Sequence, residues 1–388
     1  MVEKLVIGFD GKRAVQNMTG LGNYSRVVVG TLSALYPGNR YILMAPRMRE
    51  NPRLEPLLMR ENVTVHTPQG FVGRHIPALW RSAGMVSDMA ALGLDLYHGL
   101  SNELPLTASL APCPVVVTVH DLIWRRSPRD YNAPDRFLYE QKYRRSARLA
   151  TRVIAVSERT KADMISDWNI PAEKIDVIYQ GCDHLFSRAV TYDDKQRVRA
   201  AYGLPQRFIV SVGTVQPRKN QLLAVKALPS LPDDVKLVIV GGCQAAYRAE
   251  IDRYITDNGL GDRVIWLEGI PFGDLPPIYA CAALSSYTSR YEGFGIPLVE
   301  SLSVGTPAIA CTGSCLEEAA GAGAVYVNPD DVRAYAEAAA SILAHAYVAD
   351  RLRAAGRKHV ARFTPKALAE STMQTYMKAV MDFAMKQK

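Results

Sequence analysis

Short runs of Val, Ile and other apolar residues recur along the whole chain, and they constrain its fold more than any other feature. Such runs are typical of strands that are buried on both faces of a sheet. Clear examples are Leu5–Phe9, Val115–Val119, Phe208–Val212 and Lys236–Val240. The segments between the runs are long enough for helices. This alternation predicts an α/β fold with parallel sheets that are covered by helices on both faces.

The alternation of strands and helices occurs twice, which indicates two domains. A chain of 388 residues exceeds what one hydrophobic core usually serves. The second series begins at Phe208, after a polar stretch that starts near residue 190. We therefore predict two doubly wound, Rossmann-like domains that face a cleft, residues 1–190 and 191–362, and a C-terminal helical segment, 363–388, that can cross back to the first domain.

Composition and charge narrow the class of protein. Hydrophobic residues make up 48% of the chain, which excludes a disordered or fibrous protein. Lys and Arg number 46 against 38 Asp and Glu, giving a net charge of +8. This excess favours encounters with phosphorylated substrates or an anionic membrane surface, but it is too small to indicate nucleic acid as a partner.

The sequence predicts a cytoplasmic protein. Its six cysteines are scattered and make no disulfide framework, which suits a reducing compartment. Cys311 and Cys315 have no second pair of ligands nearby, so we interpret them as core residues and expect no metal site there. The opening residues 1–10 meet charges at once and are not expected to form a signal peptide, and no run approaches the about 18 apolar residues of a membrane span.

The sharpest local pattern is a glycine-rich turn bracketed by two carboxylates, Glu292 and Glu300, which are separated by seven residues. We predict that the chain turns at Gly293 and Gly295 and enters a helix near Pro297, so that both carboxylates can face one side. Glycines let backbone N–H groups approach an anion or a sugar closely, and a helix N-terminus adds positive partial charge. A plain loop with a capping glutamate is the alternative interpretation.

A second pattern follows the strand predicted at Phe208–Val212. The loop that starts at Gly213 carries Arg218 and Lys219 to the expected start of a helix. Ligands bind at the carboxyl ends of parallel strands. Paired cations there suit a diphosphate, because Arg binds two phosphate oxygens at once and Lys supplies a mobile charge. The alternative is a solvated helix terminus.

The first half of the chain provides weaker candidates. Gly20 and Gly22 belong to a predicted turn that could hold a phosphate, although Ser25 stands where a dinucleotide fingerprint has its third glycine. His120 follows a strongly apolar strand and stands beside Asp121, so it should emerge at the carboxyl edge of the first sheet. A lone histidine is more often structural, but this position makes His120 the best histidine candidate.

The stretch Arg125–Arg152 holds nine cations interleaved with aromatic residues. It is interpreted either as the solvated face of a helix or as an interfacial patch that meets anionic lipid or the phosphate of an acceptor. A peripheral contact with the inner face of a membrane is therefore compatible with the sequence.

Taken together, these segments resemble the retaining glycosyltransferases of the two-domain GT-B architecture, in the large family four that carries two glutamates separated by seven residues. The run from Glu292 to Glu300 is close to the family's pattern. The loop from Gly213 to Asn220 resembles its basic donor loop, and Val119–Asp121 stands where the family has its histidine. These matches occur in both halves of the chain and in the family's order.

The resemblance implies a role for each candidate in the second half. Arg218 and Lys219 would neutralise the diphosphate of a nucleotide-sugar donor, and Glu300 would hold the ribose hydroxyls. The residues that would contact the transferred sugar are Glu292, Gly293, Phe294 and Gly295.

In the first half, the resemblance places His120 near the anomeric centre and Gly20 and Gly22 near the diphosphate. His120 and Glu292 are thus the implied catalytic residues. By the same resemblance, residues 1–190 form the acceptor-side domain and residues 191–362 the domain that binds the nucleotide sugar. Neither a metal nor a cofactor is implied, because cations and N–H groups would stabilise the leaving nucleoside diphosphate. Chains with similar opening segments resemble bacterial mannosyltransferases of surface-polysaccharide assembly. GDP-mannose is therefore the first candidate among GDP- and UDP-sugar donors, and the implied acceptor is a glycan or a lipid-linked saccharide.

The sequence departs from the family's pattern at three loop positions. Thr288 and Glu317 stand where the family often has proline, and Phe363 stands where it often has tryptophan. These departures touch loops and leave the charged residues of the pattern in place.

Two other classes of protein share parts of the pattern. A sugar-nucleotide 2-epimerase has the same two-domain plan and would use the carboxylates and His120 as acid and base on the sugar ring. Product analysis with and without an acceptor separates it from a transferase. A non-catalytic basic binding protein would explain the net charge but not the two-glutamate loop, and salt-dependent nucleic-acid binding without donor turnover would favour it.

Overall fold

The structure of the chain is a computed structural model that describes residues 4–386. Residues 1–3 of the predicted opening segment and residues 387–388 of the predicted C-terminal segment lie outside the described residues. The chain folds into two compact units. The first contains the residues up to Arg125, Tyr131–Gly181 and the residues from Phe363 onward, and the second contains Arg126–Asp130 and Cys182–Arg362.

Each unit contains one parallel sheet, as the alternation of strands and helices predicts. The strands of the first sheet are β1 (Val6–Asp10), β2 (Arg40–Met44), β3 (Val63–His66), β4 (Leu96–Gly99), β5 (Val115–Val119), β6 (Arg152–Ala155) and β7 (Ile175–Val177). The strands of the second sheet are β8 (Phe208–Val212), β9 (Lys236–Val240), β10 (Val264–Leu267), β11 (Leu284–Tyr287), β12 (Ala308–Cys311) and β13 (Ala324–Val327). Their spatial orders are β3-β2-β1-β4-β5-β6-β7 and β10-β9-β8-β11-β12-β13.

Helices connect the strands and cover the sheets. Those that precede the second unit's sheet are α1 (Lys12–Gln16), α2 (Gly20–Leu35), α3 (Glu55–Leu58), α4 (Phe71–His75), α5 (Pro77–Leu79), α6 (Met85–Ala91), α7 (Ile123–Arg126), α8 (Ala133–Leu149), α9 (Glu158–Trp168) and α10 (Tyr192–Tyr202). Those that follow are α11 (Gln221–Ala227), α12 (Ala245–Asp257), α13 (Leu275–Cys281), α14 (Ile296–Ser303), α15 (Leu316–Ala320), α16 (Val332–Ala344), α17 (Ala346–Val360) and α18 (Pro365–Lys386). Across the described residues, no helix combines the length and the apolar character that a membrane crossing requires.

The apolar runs form the central strands of both sheets. Every residue of β5 is buried, and β8 and β9 are buried except at one end. Strands covered on both faces need apolar side chains at consecutive positions, which explains the unbroken runs of Val and Ile. The predicted α/β fold with two Rossmann-like domains is confirmed.

The strand order reverses at one point in each sheet. In the first sheet β1 lies between β2 and β4, and in the second β8 lies between β9 and β11. The connections on the two sides of such a point leave in opposite directions and open a crevice at the carboxyl ends of the strands, where ligands bind in open α/β sheets. Asp10 ends β1 and Val212 ends β8. A ligand site is therefore expected beside the loops that follow these two residues.

The last helix packs against the first unit. Leu368 and Tyr376 of α18 belong to the same apolar core as Phe9 of β1. At the point where the chain returns, the rings of Phe363 and Tyr179 meet edge to face, with centroids 5.5 Å apart. The predicted return of the C-terminal segment to the first domain is confirmed for its described residues, and Phe363 occupies the position where the family often has tryptophan.

The border between the units falls at Gly181, a few residues before the border that the sequence predicts near residue 190. Cys182 already packs with the second unit, since its Sγ lies 3.5 Å from the Ser303 hydroxyl of α14. The polar stretch that suggested the border is the N-terminus of α10, where Thr191 and Asp194 form a capping box. The polar residues therefore mark the start of a helix rather than a linker.

The glycine-containing turn predicted at Met18–Tyr24 is instead the start of a helix. A short helix, α1, follows β1 directly, and α2 begins at Gly20. A Cβ atom on Gly22 would lie 2.0 Å from the carbonyl oxygen of Asn17, so only glycine fits where the chain enters α2. A Cβ atom on Gly20 would meet nothing within 4 Å. The prediction of a turn at Gly20 and Gly22 is therefore wrong.

A buried hydrogen-bonded group couples α18 to the first sheet. His98 of β4 is fully buried, with Nδ1 2.7 Å from the Tyr376 hydroxyl and Nε2 2.8 Å from the Thr118 hydroxyl. Burial lowers the pKa of His98 to about 3, so its ring is neutral at physiological pH. Each ring nitrogen then has one hydroxyl group as its hydrogen-bond partner.

Replacing Tyr376 with Phe should destabilise the first unit by about 1–3 kcal/mol, because it leaves a buried ring nitrogen without its partner. Urea unfolding followed by tryptophan fluorescence reports this change, since Trp80, Trp124 and Trp168 all lie in the first unit. Tyr347→Phe is the matched control, because that side chain is 70% exposed. Equal stability of the two variants would contradict the role assigned to Tyr376.

Candidate active site

The loop after β8 carries two cations into the interior of the second unit. Pro217–Lys219 form a single turn of 3-10 helix, and Asn220 takes a left-handed conformation, with φ 55°, before α11 begins. The Thr288 hydroxyl fixes this turn, lying 3.0 Å from the carbonyl oxygen of Lys219 and 2.9 Å from that of Asn220. A proline at position 288 could not make these contacts. This departure from the family's pattern therefore has a structural use in the chain.

The glycine-rich loop Glu292–Gly295 connects β11 to α14. Gly295 has φ +110°, and a Cβ atom there would lie 2.9 Å from the Leu316 side chain, so glycine is required. Pro297 is the second residue of α14, and Glu300 lies one turn into the helix. The predicted turn and helix start are confirmed.

A buried thiol supports the same loop. The Sγ atom of Cys315 lies 3.1 Å from the carbonyl oxygen of Glu292 and 3.2 Å from that of Phe294. Cys315 and Cys311 are fully buried, which agrees with their interpretation as core residues. Residues 4–386 contain no group of three or more His, Cys, Asp and Glu side chains that could hold a metal ion.

The two loops meet in a buried ion cluster. Arg218 Nη1 and Lys219 Nζ both lie 2.6 Å from the same oxygen, Oε1 of Glu292. The three side chains are 9%, 13% and 10% exposed. Arg218 Nη1 also donates to the Tyr291 carbonyl oxygen at 2.6 Å, and Lys219 Nζ donates to the Tyr287 hydroxyl at 2.7 Å. The loops after β8 and β11 are thereby held together at the point where the strand order of the second sheet reverses.

The charges of this cluster are strongly coupled. Burial alone would raise the pKa of Glu292, but the charges of Lys219 and Arg218 outweigh it and bring that pKa to about 2. Burial lowers the pKa of Lys219, and the carboxylate of Glu292 opposes this shift. With two cations and one carboxylate, the cluster carries one excess positive charge. The excess positive charge can therefore balance the negative charge of an anion that binds in the interior.

Glu300 has the opposite electrostatic environment. It is 7% exposed, and burial together with the charge of Asp183 raises its pKa to about 8, while the Tyr279 hydroxyl lowers it. The carboxyl group thus holds a proton near neutral pH. A group that accepts hydrogen bonds from ligand hydroxyls would gain acceptor strength by losing that proton.

His120 lies at the carboxyl edge of the first sheet, as predicted. Its Nε2 donates to the Leu100 carbonyl oxygen at 2.9 Å, and its Nδ1 lies 3.3 Å from the Gln180 amide nitrogen. Burial lowers the pKa of His120 to about 4. The Tyr24 ring meets the imidazole edge to face, with centroids 4.6 Å apart. The ring is neutral at physiological pH and is held on several sides.

The structure brings the candidate residues together in two separate groups. In the second unit, the sequence-predicted residues that share the cluster, its loop and the following helix are Arg218, Lys219, Glu292, Gly293, Phe294, Gly295 and Glu300. In the first unit, Gly20 and Gly22 lie in the opening turn of α2, and Tyr24 of the same helix contacts His120.

Sequence reasoning missed several residues that position these groups. Asn102 Oδ1 accepts from the backbone N–H of His120 at 2.7 Å. Asn102 follows β4 and His120 follows the neighbouring β5, so both lie at the same edge of the sheet. This shared position could have predicted their contact from the sequence. Gln180, Thr288 and Cys315 gave no such signal, because their contacts join segments that are distant in the sequence.

The basic stretch Arg125–Arg152 directs part of its charge inward. Arg125 Nε lies 2.7 Å from Glu140 Oε2, and Arg152 Nη2 lies 2.8 Å from Asp176 Oδ2. Phe137 and Leu138 of α8 are 68% and 47% exposed. These ion pairs favour a structural role for the two terminal arginines of the stretch, and contact with an anionic membrane stays a prediction.

Two family models match this chain. The model described as "Glycosyltransferase Family 4" matches residues 19–184, and the one described as "Glycosyl transferases group 1" matches residues 194–359. The first region carries Gly20, Gly22 and His120, and the second carries the ion cluster and Glu300.

Curated relatives include two bacterial proteins. The chain is 29% identical over 230 residues to the O-antigen chain mannosyltransferase RfbU of Salmonella typhimurium, covering 58% of this chain and 60% of the relative. It is 26% identical over 341 residues to the O-antigen chain mannosyltransferase B of Escherichia coli, covering 82% and 85%. The chain thus spans somewhat less than two thirds of the first relative and most of the second.

Solved structures share the fold. The Anabaena protein HepE, crystallised in complex with UDP and glucose, matches with a TM-score of 0.76 at 21% identity, over 96% of this chain and 99% of HepE. Nearly the whole chain, with both of its sheets, therefore matches solved structures of the GT-B fold. On the two family models, which together cover most of its length, the chain belongs to the glycosyltransferases of the family 4 and group 1 type.

Proposed function

We propose that the protein is a retaining hexosyltransferase, with GDP-mannose as the first candidate donor and a glycan or lipid-linked saccharide of surface-polysaccharide synthesis as the acceptor. The observation that carries the proposal is the buried cluster of Arg218, Lys219 and Glu292 at the reversal point of the second sheet. The relatives named O-antigen chain mannosyltransferases support mannose as the transferred sugar.

In this proposal Arg218 and Lys219 bind the donor's diphosphate. When the bond between sugar and diphosphate breaks, negative charge grows on the leaving oxygen. Preplaced cations in a site shielded from water stabilise that charge strongly, since little reorganisation is needed at the moment of reaction. The chain's own residues make the contacts of the cluster, so the fold supplies this order.

Glu292 has two tasks in the proposal. Its carboxylate offsets the repulsion between two neighbouring cations. With donor bound, the diphosphate takes over part of this neutralisation, and the carboxylate becomes available to accept hydrogen bonds from the sugar's hydroxyls. Its low pKa of about 2 keeps it ionised for both tasks.

His120 acts as a positioning group for the sugar and not as a strong base. Its pKa of about 4 makes it a weak proton acceptor at neutral pH, and both ring nitrogens already lie near partners within the first unit. A sugar hydroxyl that reached Nδ1 would replace the contact with the Gln180 amide, which at 3.3 Å is the longer of the two.

Retention of configuration follows from the weakness of the candidate bases. An inverting enzyme needs a general base that activates the acceptor from the face opposite the leaving group. Among the residues assigned to the transferred sugar, Glu292 with a pKa of about 2 and His120 with a pKa of about 4 are both weak bases. Glu300, whose pKa is about 8, is assigned to the ribose of the donor and not to the acceptor. Front-face attack, in which the departing phosphate takes the acceptor's proton, is the route that these residues support.

A thermal-shift panel of nucleoside diphosphates and their sugars tests the proposal directly. A ligand at 100 times its dissociation constant adds about 2.7 kcal/mol of stability. GDP-mannose should stabilise the protein and should then be consumed when an acceptor is added.

Turnover should persist in the presence of a chelator, because the cluster supplies the positive charge that a divalent metal would otherwise bring. Absence of any shift, or a strict need for added Mn²⁺ or Mg²⁺, would overturn the charge scheme.

Replacing Lys219 with Ala should weaken nucleoside diphosphate binding by about 1.5–3 kcal/mol, the range for a charged hydrogen bond. Arg218 remains paired with Glu292 in this variant, so the fold is expected to persist. Isothermal titration calorimetry measures the affinity. Lys226→Ala, which removes an exposed lysine from α11 of the same unit, is the matched control. Unchanged affinity in the Lys219 variant would remove that residue from the donor site.

Glu300 should make the stability of the unliganded protein depend on pH. Its pKa rises from 4.5 to about 8 on folding, so between these values the folded protein holds a proton that the unfolded chain releases. Stability therefore falls as pH rises, by up to about 1.4 kcal/mol per pH unit, and Glu300→Gln should lack this contribution. Denaturation of both proteins from pH 5 to about 8.5 measures the difference. Glu337→Gln, a change at an exposed glutamate, serves as control. A constant difference between wild type and Glu300→Gln across this range would contradict the assignment.

The product should keep the donor's anomeric configuration. Proton NMR of the anomeric centre, recorded early in the reaction with an α-linked donor, distinguishes the two outcomes. An α-linked product agrees with front-face transfer. A β-linked product would mean that a base outside the candidate residues activates the acceptor, and it would overturn the mechanism.

A further inference from the structure

A cavity of about 450 Å³ lies wholly within the first unit. Its wall includes Asp10, the last residue of β1, and Glu103, which follows β4. It therefore sits at the reversal point of the first sheet, where ligands bind in folds of this kind. Its volume falls in the range of roughly 300–1,000 Å³ that is usual for small-ligand sites. Neither the ion cluster nor His120 lines it.

A cation held between two carboxylates forms one side of the cavity. Arg81 Nη1 donates to Glu103 Oε2 at 2.8 Å, and Arg81 Nε donates to Asp10 Oδ2 at 3.1 Å. Asp10 is almost fully buried, and Glu103 is half-buried. Each ionised carboxylate can accept several hydrogen bonds, so the single guanidinium leaves acceptor capacity for ligand hydroxyls.

Four more cations line the same cavity and make it strongly positive. They are Lys12, Arg47, Lys142 and Arg145. With Arg81 the lining has five cations against two carboxylates, so its net charge is 5 − 2 = +3. Such an excess in one cavity attracts an anion.

These cations are only partly paired with carboxylates, so positive charge remains for a ligand. Within residues 4–386, Lys12 and Arg47 form no ion pair, and Lys142 Nζ is 3.9 Å from the nearest carboxylate oxygen, on Glu103. Arg145 donates to a neutral partner, the Leu106 carbonyl oxygen, at 2.7 Å. Burial and the neighbouring Arg81 and Arg13 charges lower the pKa of Lys12, which a bound anion would reverse.

Apolar groups complete the lining, among them Pro46, Tyr97, Leu104 and Leu149. A site with apolar faces, carboxylates on one side and cations around it combines the three contacts that a phosphorylated sugar makes. The ring's C–H groups pack on apolar surface, hydroxyls bind carboxylates, and phosphate oxygens bind Lys and Arg.

We propose that this cavity binds the acceptor and that the acceptor is a saccharide bearing a phosphate or diphosphate group. Asp10 and Glu103 receive its hydroxyls, and Lys12, Arg47 and Lys142 bind its phosphate. This inference rests on the proposed transferase function, since only a transferase needs an acceptor. The phosphate can belong to a free sugar phosphate or to a lipid carrier, because both present the same chemistry to the cavity.

Four glucose derivatives test the proposal by calorimetry on the full chain: methyl α-glucoside, glucose 1-phosphate, methyl glucosyl diphosphate and octyl glucosyl diphosphate. The three phosphorylated probes should bind at least tenfold more tightly than the methyl glucoside. The double change Arg47→Ala with Lys142→Ala should remove this advantage. Arg49→Ala, an exposed arginine that does not line the cavity, should retain it. Melting temperatures of all variants confirm that they fold.

The Lys219→Ala variant separates this cavity from the proposed donor site. If the phosphorylated probes lose affinity in that variant and not in the cavity variant, they bind at the ion cluster and the proposal is overturned. Equal binding of all four probes would overturn it as well. Tighter binding of the octyl probe than of methyl glucosyl diphosphate, which has the same charge, identifies a lipid-linked source, and equal binding of these two identifies a free sugar phosphate. Donor binding and turnover are measured separately, so failure of the transferase function leaves the probe result readable.

Discussion

The shared oxygen of Glu292 is the constraint on which the proposed donor site depends. Arg218 and Lys219 are consecutive in the chain, and both are withdrawn from water. Removing an ion from water costs several kcal/mol, which only close opposite charge and good hydrogen bonds can offset. Glu292 supplies the charge, while the Tyr291 carbonyl and the Tyr287 hydroxyl supply further acceptors. The backbone follows the same arrangement, since Arg290 N donates to the Arg218 carbonyl oxygen at 2.9 Å. The loops after β8 and β11 are thereby fixed to each other by residues of the chain alone.

The two glutamates of the motif show how position decides the chemistry of identical side chains. Both are buried, yet the pKa of Glu292 falls to about 2 and that of Glu300 rises to about 8. The difference lies in their neighbours, two cations in one case and Asp183 in the other. Near neutral pH, Glu292 is an anion that balances the two cations. Glu300 can exchange a proton, which suits a contact whose strength changes with ligand binding.

Much of the fold and part of the site could be predicted from local patterns. Unbroken apolar runs identified β5, β8 and β9, because strands buried on both faces tolerate few polar residues. The start of α14 at Ile296, next to Pro297, was readable from the glycine-rich turn. The start of α2 at Gly20 was not, because glycines that serve close packing resemble glycines of a turn.

Residues that meet through the tertiary fold had no local signal. The contact of Thr288 with the basic loop joins positions about seventy apart, and the support of Glu292 by Cys315 depends on where α15 begins. The cavity of the first unit is a similar case. Arg81 lies in the short π-helical segment Trp80–Gly84, and nothing in its neighbourhood in the sequence indicates Asp10 or Glu103 as partners.

The reversal points of the two sheets carry opposite charge arrangements. In the first unit one cation, Arg81, is held between two carboxylates, and in the second one carboxylate, Glu292, is held between two cations. A carboxylate pair with a single cation retains acceptors for hydroxyl groups, whereas a cation pair with a single carboxylate retains donors for phosphate oxygens. In both arrangements each carboxylate has a cation within hydrogen-bond distance, so neither strand reversal leaves a bare negative charge in the interior. A transferase needs both kinds of site, because it must hold a hydroxyl that attacks and a diphosphate that leaves. The same sheet topology, used twice with the charges exchanged, can meet these two requirements without further elements of structure.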